Sequence, residues 1–267
     1  MKKVSNLLAQ KGMNLERELI KVEGCVNCGK ELKTYRMQII GGSKKGQWRT
    51  ITQECDCYLS QEALAAESKI KIKHFSKLST INQSLRQATL ENYVPHHDSQ
   101  FSAMQKAIEF IEKLSQNKQA RLIYYGEPGL GKSHIAVGIG KIVEARFRKT
   151  CMFLELPALK QMIKSSWSKE STYSERDLMR SIAEADLVIL DDVGAEGITP
   201  WTKEFMFAIL NSRLSKSLIV TTNMSLPDLY MEYGAKIIDR FLENMTKQDL
   251  IKIEGEHSYR LKHFIED

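Results

Sequence analysis

Long apolar runs are what this sequence most lacks. The longest, such as Leu187 to Leu190, fall far short of the roughly 20 residues a membrane-spanning helix needs, so no membrane partner is expected. The charged start, Met1-Lys2-Lys3, is followed by no apolar stretch of the kind that directs secretion. A cytoplasmic protein is the default expectation. Proline and glycine are sparse as well, 5 and 15 among 267 residues, which excludes collagen-like and low-complexity classes. With 42% hydrophobic and 27% charged residues, the composition is that of a folded globular protein rather than a disordered chain. A chain of this length makes one large domain or two smaller ones.

The net charge is +6, and it is unevenly placed. Residues 1–90 hold 16 Lys and Arg against 8 Asp and Glu, whereas residues 91–267 hold 23 against 25. The basic surplus therefore belongs to the first third, which points to an anionic partner there or to solvated Lys-rich helices.

Cysteines divide the chain at the same place. Four of the five lie in Cys25-Val26-Asn27-Cys28 and Cys55-Asp56-Cys57. In a reducing compartment such clusters bind metal or do redox chemistry more often than they form disulfides. The first pair sits in a glycine-flanked turn that aims two thiolates at one centre. Residues 31–40 and 47–53 read as a β-hairpin around Gly41-Gly42-Ser43-Lys44-Lys45-Gly46. A hairpin returning Cys55 and Cys57 to Cys25 and Cys28 is what a tetrahedral four-cysteine Zn²⁺ site requires. The alternatives are unrelated thiols or a redox pair, although the strand–helix context of a redox CxxC is missing. Four thiolates on one Zn²⁺ would add about −2 and leave the region basic. Cys151 heads an apolar run and reads as a buried core residue.

Before the cluster, Leu7, Leu8, Leu15, Leu19 and Ile20 repeat at roughly helical spacing. After it, residues 60–87 read as a long polar helix with scattered apolar positions, either a solvated linker or partly packed on a partner.

From about residue 100, helices alternate with short apolar strands, the pattern of an α/β domain with a largely parallel sheet. Its strongest motif is Gly126-Glu127-Pro128-Gly129-Leu130-Gly131-Lys132-Ser133. It follows the strand Leu122-Ile123-Tyr124-Tyr125 and opens a helix over 132–147, the context of a phosphate-binding loop. Backbone N–H groups of such a loop cradle phosphate, aided by the helix dipole. Lys132 neutralises β/γ oxygens and the Ser133 hydroxyl ligates Mg²⁺. With the adjoining His134, these residues make up the candidate ATP-binding segment.

The strand Leu187-Val188-Ile189-Leu190 delivers Asp191 to the Mg²⁺ and Asp192 to the attacking water. Glu is commoner at the second place, so the shorter Asp192 implies an intervening water or slow hydrolysis. A third strand, Leu218-Ile219-Val220-Thr221-Thr222, ends at Asn223 on the same sheet edge, where ligands of open α/β sheets gather. Asn223 either holds the water or γ-phosphate, or caps the next helix.

These motifs, taken with Ala88-Thr89-Leu90-Glu91-Asn92-Tyr93, Ile237-Ile238-Asp239-Arg240-Phe241 and Ser258-Tyr259-Arg260, resemble the AAA+ helicase loaders of the DnaC/DnaI type over residues 88–264. The resemblance implies an AAA+ P-loop ATPase domain with a parallel sheet flanked by helices (91–267), a helical linker (61–90) and a small zinc-binding, helicase-interacting N-terminal domain (1–60). Matched residue by residue, Asn223 is sensor I, Arg240 the arginine finger that reaches a neighbouring subunit's γ-phosphate, and Arg260 the sensor II position. Self-assembly through the ATPase domain follows, since a cation supplied across an interface can be withheld until assembly.

The resemblance implies a loader that binds a hexameric replicative DNA helicase and delivers it onto single-stranded DNA, with ATP hydrolysis as the release switch. Lys160, Lys164, Trp167 and Lys169 are either a single-stranded DNA surface or an ordinary exposed helix. An IstB-type transposition helper that binds duplex DNA and a transposase shares the core motifs. A P-loop kinase for a small metabolite fits Asn223 and the terminal Ser-Tyr-Arg less well.

Overall fold

The computed structural model describes residues 17–26, 28–39, 41–53, 55, 57–168, 173–255 and 258–259. It divides into two units, residues 1–66 and 67–267.

In the first unit, β1 (Arg17–Gly24), β2 (Glu31–Gln38) and β3 (Trp48–Thr52) form an antiparallel meander. β2 and β3 are the expected hairpin, with Tyr35 opposite Ile51. β1 was not expected. Leu19 and Ile20 belong to a strand, while Leu7, Leu8 and Leu15 lie outside the described residues. Helical spacing is a local signal, and here pairing with β2 overrides it. No residue of the three strands is buried. A single sheet this small, without a buried face, needs a staple to be stable.

Helix α1 (Cys57–Leu78) ends earlier than its composition suggests. Ser79 and Thr80 pair instead with the edge of β5 (Cys151–Glu155): Thr80 N–H donates to the Phe153 carbonyl at 2.8 Å. The Ser79 and Thr80 hydroxyls accept from the Phe153 and Glu155 N–H groups at 3.1 and 2.8 Å. Short hydroxyl side chains compete with helical bonding in this way, and here they also cover a sheet edge.

The second unit carries a parallel five-stranded sheet in the order β5, β6 (Leu187–Val193), β7 (Ser217–Thr222), β4 (Arg121–Tyr125), β8 (Leu250–Lys252). Alternate residues of the same strands serve two cores. Leu122, Tyr124, Phe153, Ile189 and Ile219 face α2 (Asp98–Ser115) and α3 (Lys132–Phe147). Ile123, Leu154, Val188, Leu190 and Val220 face the apolar sides of α4 (Leu156–Ser166), α5 (Glu175–Glu184) and α6 (Pro200–Ser212). Burial on both faces is why these strands read as unbroken apolar runs. Cys151 is buried, as expected. α7 (Leu226–Tyr233) and α8 (Ala235–Phe241) complete that second layer. Among the described residues, no helix is long and apolar enough to cross a membrane.

Candidate functional site

The loop between β4 and α3 has the conformation its glycines permit. Gly126, Gly129 and Gly131 all have positive φ, at 132°, 80° and 89°. Each also lies where a Cβ would collide, with the Ile253 carbonyl, Ser258 and the Tyr93 ring respectively. The loop is thus clamped on three sides. Tyr93 donates to the Leu130 carbonyl at 3.0 Å, and Tyr259 N–H donates to the Gly129 carbonyl at 3.0 Å. His134 turns to the lead-in segment, where Nε2 meets the Thr89 carbonyl at 2.9 Å and Asn92 Oδ1 at 2.8 Å. The Lys132 ammonium, nearly buried, donates to the Gly126 and Glu127 carbonyls at 2.8 and 2.7 Å. A cation held over a ring of loop backbone at a helix N-terminus fits an anionic phosphate chain.

β6 brings the two acids to this end of the sheet. The Thr221 hydroxyl donates to Asp191 Oδ1 at 2.5 Å and accepts from Asp192 N–H at 3.0 Å. A single hydroxyl therefore holds the Asp191 carboxylate and the Asp192 main chain. Asp192 adopts a left-handed φ of 54°, a region in which Asp is enriched. Burial pushes the Asp191 carboxyl up to about 6, with the charges of Asp192 and Glu155 adding to it; hydrogen bonds from Thr221 and Ser133 oppose the rise. Asp191, hydrogen-bonded to the Ser133 hydroxyl, makes with it a carboxylate and hydroxyl pair of hard oxygens, the donors that Mg²⁺ takes together with phosphate oxygens. Asn223, just past β7, lines a cavity of about 380 Å³ with Tyr125, Gly126, Glu127 and Lys252. Ser225, not Asn223, caps α7.

Arg240 stands apart from this group. Its carbonyl accepts a hydrogen bond from Arg121, the first residue of β4. The phosphate loop begins after the last residue of that strand, four steps of about 3.3 Å or about 13 Å away. Arg260 lies outside the described residues, while Ser258 and Tyr259 pack against Gly129. Sequence reasoning missed the clamping role of Tyr93 and Tyr259, the bridging Thr221 and the third carboxylate, Glu155. Only Thr221 had a local signal, a polar residue closing an apolar strand.

In the first unit, the Sγ atoms of Cys25, Cys28, Cys55 and Cys57 all lie within 4.8 Å of one another. Cys25 and Cys57 are 3.6 Å apart, and Cys28 and Cys55 are 3.4 Å apart. A tetrahedron of thiolates at 2.3 Å from Zn²⁺ has edges of about 3.8 Å. Hydrogen bonding with Cys55 and Cys25 pushes the Cys57 thiol up to about 12, so without a cation this thiol is held protonated. The turn between the first pair is set by Cys25 N–H to the Lys30 carbonyl and Gly29 N–H to the Cys25 carbonyl, at 2.9 and 2.8 Å.

A parallel sheet with a glycine loop and a buried strand-end acid at one edge defines a P-loop ATPase of the AAA+ type. The profile of the IstB-like ATP binding protein family matches residues 45–266, and the chain belongs to that family. It is 26% identical over 185 residues to the replicative helicase loader DnaC of Buchnera aphidicola (subsp. Schizaphis graminum), covering 68% of this chain and 74% of that protein. It is 33% identical over 162 residues to an insertion-sequence ATP-binding protein of Pseudomonas aeruginosa, covering 58% and 56%. The crystal structure of the DnaC helicase loader shares the fold, with a TM-score of 0.57 at 24% identity, covering 65% of this chain and all of that one.

Proposed function

We propose that this chain is an ATP-dependent loader that binds a hexameric replicative DNA helicase and delivers it onto single-stranded DNA during replication initiation. The observation that carries this reading is the separation of Arg240 from the chain's own phosphate loop, at opposite ends of β4. A cation so placed serves a neighbouring subunit's nucleotide, which makes ATP a reporter of assembly rather than a phosphoryl donor to a metabolite. The similarity to DnaC proteins supplies the class of cargo.

ATP with bound Mg²⁺ would supply the scissile phosphoanhydride and the charge that the site neutralises. The loop N–H groups of residues 126–133, Pro128 excepted, and the Lys132 ammonium hold and orient the phosphates. Ser133 and Asp191 would hold the metal, Asp192 takes up the proton of the attacking water, and Asn223 orients that water. Arg240 stabilises charge growing on the neighbour's γ-phosphoryl, and we keep Arg260 as the sensor II residue. Hydrolysis then ends the grip on helicase and DNA.

We assign Zn²⁺ as the structural ion of Cys25, Cys28, Cys55 and Cys57. We assign residues 1–60 to a zinc-binding, helicase-facing domain, 61–90 to a helical linker and 91–267 to the ATPase domain. For single-stranded DNA, Trp167 is 60% exposed and lies edge-on to Trp201, which stacks on Phe205. Exposed aromatics of this kind offer base-stacking surfaces. Lys160 contributes less, since its ammonium is held by the Glu196 and Gly197 carbonyls at 2.7 and 3.1 Å, and Lys169 lies outside the described residues.

The family match and the 33% identical relative favour a second reading, an ATPase that helps transposition. Retention of the full chain by immobilised replicative helicase, with ATP-dependent transfer of that helicase to single-stranded DNA, is the expected result. Retention by a transposase alone, with condensation of duplex DNA, would overturn the loader reading in favour of the second.

A further inference from the structure

A buried arginine at the far end of the sheet connects the finger to the strand that carries the phosphate loop. Arg121 is 5% exposed. One arm of its guanidinium donates to the Arg240 carbonyl at 2.5 Å, the other to the Arg213 carbonyl at 2.8 Å, and the second arm also meets Glu243 at 3.2 Å. Arg213 is fully buried and continues the network. Its guanidinium donates to the Ile182 and Ser217 carbonyls at 3.1 and 2.6 Å and to the carbonyl of Ala185. A guanidinium carries five donors in a rigid fork, so it can hold two carbonyls and a carboxylate at once, which an ammonium on a flexible stem does poorly.

The segment so held needs an external anchor. α8 has only seven residues and is preceded by Gly234, which caps both its start and the end of α7 with φ 83°. α8 is fixed from beneath by Ile237, Ile238 and Phe241, but continuity with α7 is broken at that glycine. The Arg240 side chain, by contrast, is held only by its chain neighbour among the described residues: Nη1 donates to the adjacent, exposed Asp239 at 3.2 Å, and its Nε is buried without an acceptor. The main chain of residue 240 is pinned by a distant strand while its guanidinium has one exposed local pair to exchange.

We propose that Arg121 is a positioning residue for Arg240: its buried fork registers the main chain of the finger to β4, the strand whose other end carries the subunit's own phosphate loop. The inference rests on the reading of Arg240 as a finger acting on a neighbour. It adds that each subunit aims its finger from the strand that holds its own nucleotide.

The test pairs Arg121→Met with Glu243→Gln in the full chain, so that neither charge is left buried alone. Affinity for a fluorescent ATP analogue should stay within about 2-fold of wild type. Assembly-dependent turnover should fall on the order of 10- to 100-fold, the usual consequence of misplacing a transition-state contact by about 1 Å. Mixing separates finger from pocket. Asp192→Asn chains keep an intact finger but lack the water-activating carboxylate, so an excess of them should restore turnover at the double variant's phosphate loops. Arg240→Ala chains should restore none.

Wild-type turnover by the double variant would overturn the proposal. So would rescue of Arg240→Ala by Asp192→Asn with no rescue of the double variant. If Arg240→Ala alone turns over normally once assembled, the finger reading fails instead, and is recognisable as that failure. Should the double variant not melt cooperatively, Arg121→Lys carries the test, because it keeps the charge beside Glu243 but loses the fork. A drop of about 3- to 10-fold, rescued by the same partner, is then expected, and no drop overturns the proposal.

Discussion

Replacing Asp191 by Asn should make the nucleotide-free chain more stable at neutral pH, although it removes the carboxylate proposed to hold the metal. Asp191 is almost fully buried, and burial together with the charges of Asp192 and Glu155 raises its carboxyl from an ordinary 3.8 to about 6. Between those values the folded chain binds a proton that the unfolded chain has released. Stability therefore falls as pH rises through that window and stays low above it. The gap corresponds to an upper bound of about 3 kcal/mol, and about 2 kcal/mol is expected once relaxation of the site is allowed for. Asn keeps the oxygen that accepts from Thr221 and carries no charge. Thermal melts without nucleotide should place Asp191→Asn about 4–8 °C above wild type at pH 8, with the two converging near pH 4. Adding ATP and Mg²⁺ should reverse the order, because only the wild type gains the full linkage of ligand binding. A variant that melts below wild type at pH 8 without nucleotide, or keeps its advantage at pH 4, would refute the reasoning.

Glu144 on α3 makes a second test of pH linkage, away from the loop. Burial pushes it up to about 7 against a backbone hydrogen bond from Cys151, so its penalty grows between pH 4.5 and 7. Glu144→Gln should gain about 1 kcal/mol at pH 8, after discounting for its partial exposure, and nothing at pH 4, as read by denaturant melts. Chelation, or Cys28→Ser, should release one metal ion per chain and abolish the protease resistance of residues 17–55. The cooperative melt of the ATPase unit should persist; retention of that resistance without metal would refute the staple argument. Lys132→Ala should remove the thermal shift produced by ATP and Mg²⁺ while leaving the nucleotide-free melting temperature within a few degrees, since each hydrogen bond it gives up to the Gly126 and Glu127 carbonyls is worth a net of about 1 kcal/mol.

The parts of the site legible in the sequence are those whose chemistry is local. A phosphate loop needs glycines at fixed offsets, and α3 spans residues 132–147 as expected. Acids at the end of an apolar strand also carry their own context, and so did the hairpin between the cysteine pairs. What was illegible is what depends on distant partners. Leu19 and Ile20 look helical until β2 pairs with them. Tyr93 and Tyr259 are 166 positions apart in sequence yet their rings lie 5.8 Å apart. Nothing local marks Arg121, and only the fold brings it to carbonyls 92 and 119 residues away.

The shorter acid at position 192 takes on a different meaning beside the geometry of β6. Register with β7 is regular up to Leu190 opposite Val220, then slips, and resumes with Val193 opposite Thr222. Three residue steps on β6 thus face two on β7, which is the count of a bulge, and bulges re-aim side chains. The extra residue falls among Asp191 and Asp192, where Asp192 has its left-handed φ and its N–H is held by Thr221. Asp is among the few non-glycine residues enriched in that conformation, and Glu is not. The departure from the commoner Glu is therefore tied to the backbone that carries it. A strand that bends out at its last acid changes where the carboxylate is delivered, so side-chain length alone does not measure its reach.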